Sequence, residues 1–217
     1  KCYLFSIIRK NLDTLNYEHG DLSIEDYSGF LSWEELKLME KSGIMDVQSH
    51  SMSHTWYESN DTIIDFRHPK DTYLWMSWNR NQNQKPFLYR DNNELIEFGE
   101  PVFENKRSLS LLKRYFPDKN LKNELVKEVK EKGGMHFFER ENWKKHLFSK
   151  VREYQSSNEN TGRYETNKES RERLEYELLN SKHIIEKKLN KKVDFLCWPG
   201  GGCTYFSNIL SLKFGYL

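Results

Sequence analysis

The sequence predicts an α/β fold built from parallel strands and the helices that connect them. Short apolar runs alternate with amphipathic segments in the order strand, helix, strand near the start of the chain, and a similar order recurs near its end. The apolar runs are continuous and short, as buried strands are. Strands joined through a helix are parallel, so we expect the residues that follow them to gather at one edge of the sheet.

The N-terminal unit contains two predicted strands and one helix. The apolar run at 2–8 predicts the first buried strand. Ser32 is placed to cap the helix, with Glu35 three residues later as its capping-box partner. Gly43 occupies the position at which helices commonly end. Residues 44–48 then predict a short second strand.

The middle of the chain departs from this alternation. Residues 58–107 are polar and lack periodicity, and we interpret them as an insertion containing one hairpin. Helical patterns follow at 108–115 and 119–132, with a shorter one at 142–149. Together these segments predict an insertion or subdomain over 58–160.

The C-terminal unit begins with a long predicted helix at 168–189. A strand is predicted at 193–198, a glycine-rich turn follows it, and a last helix is predicted at 207–214. The apolar stripe of the long helix repeats at intervals of three and four residues. Its members are Leu174, Leu178, Ser181 and Ile185.

Composition excludes several classes of function. The 217 residues carry 34 Lys and Arg against 33 Asp and Glu, so no global field favours nucleic acid or an anionic membrane. No apolar run approaches the ~20 residues that a membrane-spanning helix requires. Three cysteines, Cys2, Cys197 and Cys203, are too few for a disulfide framework. A glycine loop could bring Cys197 and Cys203 together, but we expect buried free thiols.

Both ends of the chain are apolar runs. The first lacks the features of a signal peptide, and the last, at 214–217, has no closing turn. We interpret the chain as a single domain, 1–217, truncated at both ends, and the localisation stays open.

Two histidines, His50 and His54, follow the predicted strand at 44–48. Their four-residue spacing can aim both imidazoles at one point, as a metal ion requires. Asp46 lies four residues earlier, but on a strand it would be ~13 Å from His50, so we do not predict it as a ligand. The alternative, a pair of polar residues in a capped turn, is open at this stage.

Two stretches resemble motifs of the polysaccharide deacetylases, the NodB-homology carbohydrate esterases of family 4. The segment 46–54, with His50-Ser51-Met52-Ser53-His54, is similar to the metal-binding motif of that family. The segment 193–201 resembles another of its motifs, a strand that ends in an aromatic-Pro-x-Gly loop. The resemblance implies a partial or distorted (β/α) barrel of the polysaccharide deacetylase type with a long insertion.

The resemblance also implies a reaction and a cofactor. His50 and His54 would bind zinc or another divalent metal, and the Ser51 hydroxyl would support their loop. The family hydrolyses the N-acetyl group of an amino sugar through metal-assisted attack of water. The implied partner is an N-acetylated carbohydrate, and the family alone suggests the cell envelope or secretion.

A substrate-binding wall is implied at the second motif. Trp198 would shape the sugar pocket, and Pro199 and Gly200 would form one side of the groove. The Gly200 backbone N–H would donate to the oxyanion.

The chain departs from the family pattern in ways that bear on activity. The motif that supplies the base and the third metal ligand is absent, as is the motif that carries the general acid, so the catalytic carboxylates are unknown. Gly200 stands where many members have Tyr, and the Arg of the same motif has no match. We therefore expect weak zinc binding and no acetate release from this chain.

Two functional hypotheses follow, from different classes. The first is a metal-dependent carbohydrate N-deacetylase, and the second is a non-catalytic carbohydrate-binding or interaction module on the same framework. An Asp-Asp pair encoded just before Lys1 would favour the enzyme.

Overall fold

The computed structural model describes residues 31–80, 96–158 and 162–217, and the predicted strand at 2–8 lies outside them. Within these ranges helices predominate, and the strands form two small antiparallel sheets. The helices are α1 (Trp33–Lys41), α2 (Leu74–Arg80), α3 (Lys119–Glu131), α4 (Trp143–Ser157), α5 (Asn167–Glu175), α6 (Ser181–Leu189) and α7 (Tyr205–Lys213). The strands are β1 (Trp56–Phe66), β2 (Pro101–Arg107), β3 (Tyr115–Pro117) and β4 (Gly162–Tyr164).

Helix α1 confirms the capping prediction. The Ser32 hydroxyl accepts from the Glu35 backbone N–H at 3.2 Å, and the Glu35 carboxylate accepts from the Ser32 N–H at 2.6 Å. Gly43 follows the helix with a φ of +71°, the left-handed conformation of a C′ glycine. Trp33 and Leu36 are buried, so the face of this helix that carries them packs on the core.

The predicted long helix at 168–189 is continuous, but it contains one irregular turn. A π-helical turn, Tyr176–Asn180, joins α5 to α6. The four residues of the predicted stripe are all buried, which confirms the helical period through the irregularity. These residues are Leu174, Leu178, Ser181 and Ile185.

The segments 44–48 and 193–198 were predicted as regular strands, and this is wrong in detail. They run side by side in the parallel direction, but among the described residues they share one bridge, between Ser49 and Leu196. The Cys197 N–H donates to the Ser49 carbonyl at 2.9 Å. The direction of pairing therefore agrees with the sequence, whereas the extent of pairing does not.

Side chains bond to backbone groups of the two segments that a regular parallel sheet would pair through backbone hydrogen bonds. The Gln48 side-chain oxygen accepts from the backbone N–H groups of Asp194, at 3.1 Å, and Phe195, at 3.0 Å. The Lys191 ammonium donates to the Val47 carbonyl at 3.0 Å. Because these side chains satisfy the backbone groups, burial of the two segments carries no penalty of unpaired polar atoms at these positions.

Two hydrophobic clusters account for most of the core. The first lies where α1, α5, α6 and α7 pack around the parallel segments, and it contains Trp33, Leu36, Val47, Leu109, Leu174, Leu178, Ile185, Val193, Leu210 and Tyr216. The second joins α3 and α4 to the end of β1, and it contains Phe66, Leu121, Leu125, Val129, Phe137, Leu147, Val151 and Tyr154.

The region interpreted as an insertion contains an antiparallel pair, β1 and β2, with a change of register between Glu58 and Ile63. Its connection includes α2, which the lack of periodicity did not predict. The helix predicted at 119–132 is confirmed as α3, and the one predicted at 142–149 extends further as α4.

The helix predicted at 108–115 is wrong. A single 3₁₀ turn covers Ser108–Ser110, and the chain then extends into β3. Glu165 explains the difference, because its carboxylate accepts from the Arg114 N–H at 2.8 Å while its own N–H donates to the Arg114 carbonyl at 2.8 Å. These bonds replace the i→i−4 bonds that a helix would need.

Cys197 and Cys203 are free thiols, as predicted, but Cys197 is half-buried and Cys203 is exposed, so the prediction that they are buried is wrong. Cys2 lies outside the described residues. In the three described ranges, none of the helices combines the length and apolar character that crossing a membrane demands.

Gly99 marks the closest approach between α3 and the connection before β2. Its φ is +90°, and an added Cβ would lie 2.6 Å from Val129 Cγ2 and 2.9 Å from the Leu125 carbonyl oxygen. We expect Gly99→Ala to lower the free energy of unfolding by about 3 kcal/mol, because backbone strain and a steric clash add together.

The matched control for Gly99→Ala is Gly43→Ala. Gly43 has a φ of +71°, and no atom lies within 4 Å of the position that an alanine methyl group would take, so this change adds strain without a clash. We expect it to cost about 1 kcal/mol in urea denaturation. Equal losses for the two variants would contradict the close packing at Gly99.

Candidate functional site

The two histidines lie on a tight loop between the parallel segment and β1. Ser51 and His54 have φ values of +70° and +47°, which place both residues in the left-handed region. The Ser51 hydroxyl accepts from the His54 backbone N–H at 3.3 Å. This bond places Ser51 inside the loop, where the sequence resemblance gave it a supporting role.

The loop brings the imidazole rings of His50 and His54 together. Their centroids are 4.9 Å apart, with 35° between the ring planes. His50 is buried, whereas His54 is half-buried and meets the edge of Trp56 at a centroid distance of 5.8 Å. The convergence predicted from the four-residue spacing is therefore present, although it arises on a loop and not on a helix.

Ring orientation at His50 is set by a backbone carbonyl. Its Nδ1 lies 2.7 Å from the carbonyl oxygen of Cys197, so Nδ1 carries the proton and the neutral ring holds its lone pair on Nε2. Burial lowers the pKa of His50, the hydrogen bond to Cys197 opposes this, and the nearby charge of Arg107 adds to the lowering. A neutral imidazole with a fixed tautomer is the form that binds metal ions.

Glu177, on the π-helical turn, holds the opposite side of the loop. Its carboxylate accepts from the backbone N–H groups of Met52, at 3.1 Å, and Ser53, at 2.9 Å, and also from the Ser53 hydroxyl. The side chain is fully buried. Sequence reasoning missed this residue, although a charge three residues after Leu174 lies on the apolar stripe and is a signal for it.

Arg107, at the end of β2, is the second residue that sequence reasoning missed. Its Nη1 donates to His54 Nε2 at 3.2 Å, and its guanidinium carbon lies 4.1 Å from the centroid of the Trp56 ring. Burial lowers the pKa of Arg107. No local pattern in the sequence connects this arginine to the histidines, because the contact spans 53 positions.

The Trp198-Pro199-Gly200 loop lies beside the same arginine. Pro199 is buried, and the half-buried Trp198 packs against the first hydrophobic cluster. Gly200 is exposed with a φ of +64°, and an added Cβ would lie 2.4 Å from Arg107 Nε. Glycine at this position therefore permits Arg107 to approach the loop.

Asp46 is engaged away from the histidine pair. Its carboxylate lies 2.5 Å from the Lys191 ammonium and accepts from the Gln48 amide at 2.9 Å. These contacts fix the start of the parallel segment.

The donor set fits part of a metal site. His50 and His54 offer two imidazoles, and His50 has the tautomer and protonation state that a metal needs. Within 31–80, 96–158 and 162–217, however, no three His, Cys, Asp or Glu residues form a group that could hold a metal ion. Arg107 also places a cation next to His54. Among the described residues the pair therefore offers two imidazoles, fewer than the three or four protein ligands that zinc sites usually have.

Comparisons with known proteins add no relative: no family model, no curated protein and no solved structure matches this chain. The functional conclusion therefore depends on the residues of the site.

The anchoring role of Glu177 can be tested by Glu177→Gln. The amide keeps the shape of the side chain but loses the charge that strengthens three hydrogen bonds to the loop. We expect the free energy of unfolding to fall by about 2 kcal/mol. Urea denaturation measures the loss, and hydrogen exchange at the Ser53 amide should accelerate.

Glu172→Gln is the matched control on the preceding helix, since Glu172 is 60% exposed and pairs only loosely with Lys168, at 3.8 Å. No measurable loss is expected for this variant. If both variants lose the same stability, Glu177 does not anchor the loop.

Proposed function

We propose that this chain contributes a metal-dependent hydrolytic site of the carbohydrate N-deacetylase type, in which His50 and His54 bind zinc or another divalent metal. One observation carries the proposal. The two stretches that resemble deacetylase motifs are joined by the contact between His50 Nδ1 and the Cys197 carbonyl, 2.7 Å long and 147 positions apart in sequence. The contact agrees with the expectation that residues following parallel strands gather at one edge of the sheet.

In this proposal the substrate is an N-acetylated amino-sugar polymer. A divalent metal, when bound, would polarise the amide carbonyl and a water molecule. The Cys197 carbonyl keeps His50 in the tautomer that presents Nε2, and Glu177 holds the loop that carries His54. Trp198, Pro199 and Gly200 would line the groove, with the Gly200 N–H as the oxyanion donor. The base, the acid and the third ligand are not assigned to described residues.

The architecture belongs to the same proposal. The parallel contact between Ser49 and Leu196 supports two neighbouring strands of a partial or distorted (β/α) barrel. The antiparallel pair β1 and β2 would then belong to the insertion at 58–160, which delivers Arg107 to the barrel edge.

Arg107 favours a second candidate, a non-catalytic carbohydrate-binding module. Its Nη1 lies 3.2 Å from His54 Nε2, so a cation already contacts the nitrogen that a metal would use. A metal bound there would have to displace Arg107 or bind beside it against charge repulsion. In the second candidate, the histidines and Arg107 form a polar binding surface without metal.

The metal proposal is tested by His50→Ala. We expect the wild-type chain to bind zinc weakly in isothermal titration calorimetry, because two imidazoles are an incomplete ligand set. Removal of the His50 imidazole should abolish this binding. His183→Ala is the matched control, since His183 is exposed on α6 and should leave the zinc affinity unchanged. If His50→Ala binds zinc with unchanged affinity, the zinc binds at a site that does not include His50.

Sugar binding with and without zinc separates the two candidates. The probe is the β-1,4-linked hexamer of N-acetylglucosamine, titrated into the chelator-treated protein and into the protein with added zinc. The deacetylase candidate predicts an affinity several-fold higher with zinc, because a metal binds the amide oxygen directly. The binding module predicts equal affinities. Absence of binding in both conditions would contradict both candidates for this sugar.

A further inference from the structure

Arg107 differs from the other arginines of the interior in its partners. Three arginines with restricted exposure pair with carboxylates, at 2.8, 3.4 and 2.9 Å; the pairs are Arg67 with Asp71, Arg114 with Glu58, and Arg173 with Glu165. Arg107 is half-buried, yet its contacts within the described ranges are with His54, Trp56 and Gly200, none of them acidic. The chain therefore holds a cation here without a compensating anion from the residues described.

The half-buried guanidinium of Arg107 needs more hydrogen-bond acceptors than its described neighbours supply. It carries five N–H donors in a planar fork, and the contact with His54 involves only Nη1. Partial burial removes water from the group without replacing its hydrogen bonds, which is unfavourable unless an acceptor is supplied. Because a guanidinium stays charged at neutral pH, the acceptor that matches it best is an oxyanion.

Three neighbours hold the guanidinium in one place. The Trp56 ring lies under it, with 4.1 Å between the guanidinium carbon and the ring centroid. Gly200 lies against its Nε side, where any side chain would collide with it. His54 contacts Nη1. A cation fixed in this way loses little conformational entropy when it binds a ligand, which favours binding.

The surroundings leave the guanidinium accessible. Gly200 is exposed, and both His54 and Trp56 are half-buried, so a small ligand can reach the arginine from solvent. The carboxylate of Glu177, on the π-helical turn, already accepts hydrogen bonds from the loop residues Met52 and Ser53.

We infer that Arg107, together with His54 and Trp56, forms a binding site for one oxyanion group, either a carboxylate or a phosphate. The inference about the oxyanion needs no metal and no catalysis. Attachment of that oxyanion to a sugar rests on the proposed function, and it would make the natural substrate an acidic glycan. A fork-shaped donor binds both oxyanions in a bidentate manner, so the chemistry is shared and the source is decided by measurement.

The experiment uses the chain labelled with ¹⁵N-arginine and follows the Nε–Hε resonances during titration. Sodium acetate and inorganic phosphate are the first probes, at constant ionic strength. We expect one arginine resonance to shift in a saturable manner, and its absence from the spectrum of Arg107→Gln assigns it. Followed by calorimetry, Arg107→Gln should weaken anion binding roughly tenfold or more, because charge-assisted hydrogen bonds are lost.

Arg140→Gln is the matched control for the loss of one positive charge. Arg140 also lies over an aromatic ring, that of Phe137 at 5.4 Å, and it donates to the Lys132 carbonyl at 3.0 Å. Among the described residues it forms no ion pair with a carboxylate. We expect this variant to retain the wild-type anion affinity. If both variants weaken anion binding equally, the cause is the loss of one positive charge from the protein and not the loss of a site at Arg107, and the inference is overturned.

The source of the oxyanion is decided by a second set of probes. D-glucuronate and glucose 6-phosphate present a carboxylate and a phosphate on the same ring, and glucose is the neutral reference. Tighter binding of either acidic sugar than of glucose supports the inference and identifies the preferred group. Absence of saturable binding by acetate, phosphate and both acidic sugars overturns it.

Two further measurements separate this site from the metal site. Arg107→Lys keeps the charge but lacks the fork, so it should fold normally and bind the anions with intermediate affinity. Arg107→Gln should bind zinc at least as tightly as the wild type, because a cation is removed from His54. Loss of anion binding with retained zinc binding supports the oxyanion site, whereas loss of zinc binding in His50→Ala concerns the proposed function alone.

Discussion

The contact on which the candidate site depends is the hydrogen bond from His50 Nδ1 to the carbonyl oxygen of Cys197. It crosses from one parallel segment to the other at the point where both end, one residue beyond the bridge between Ser49 and Leu196. The same bond selects the tautomer of His50 and joins the histidine loop to the Trp198 loop. Without it the ring orientation of His50 would not be fixed, although the backbone bonds of Ser49 to Phe195 and Cys197 would still align the two segments.

Opposite charges hold the two sides of the histidine loop. Glu177 lies beneath it as a buried carboxylate, and the backbone of Met52 and Ser53 satisfies that charge. Its position on a π-helical turn agrees with the tendency of such turns to occur at functional sites. Arg107 lies on the other side, against His54. Beside the guanidinium of Arg107, a negatively charged group can bind more readily than a second cation. This charge favours the binding module, whereas the paired imidazoles favour the metal site.

Sequence patterns predicted the fold best where local interactions decide the structure. The capping box of Ser32 and Glu35 and the buried stripe through Leu174 both follow from spacing along one helix, and the range of α3 follows from its helical pattern. The prediction failed where distant groups compete for the backbone. Arg114 was assigned to a helix, but its N–H and carbonyl are bonded to Glu165, 51 positions away, and no local pattern contains that partner.

Spacing and composition along the chain indicated that His50 and His54 can converge, that a glycine-rich turn follows the segment at 193–198, and that two short apolar segments run parallel. The groups that surround the histidines are set by contacts between distant parts of the chain. Glu177 is 124 positions from Ser53, and Arg107 is 53 positions from His54. The hydrophobic periodicity of a helix or a strand indicates which of its faces is buried. The residues that pack against that face depend on the packing of the whole chain.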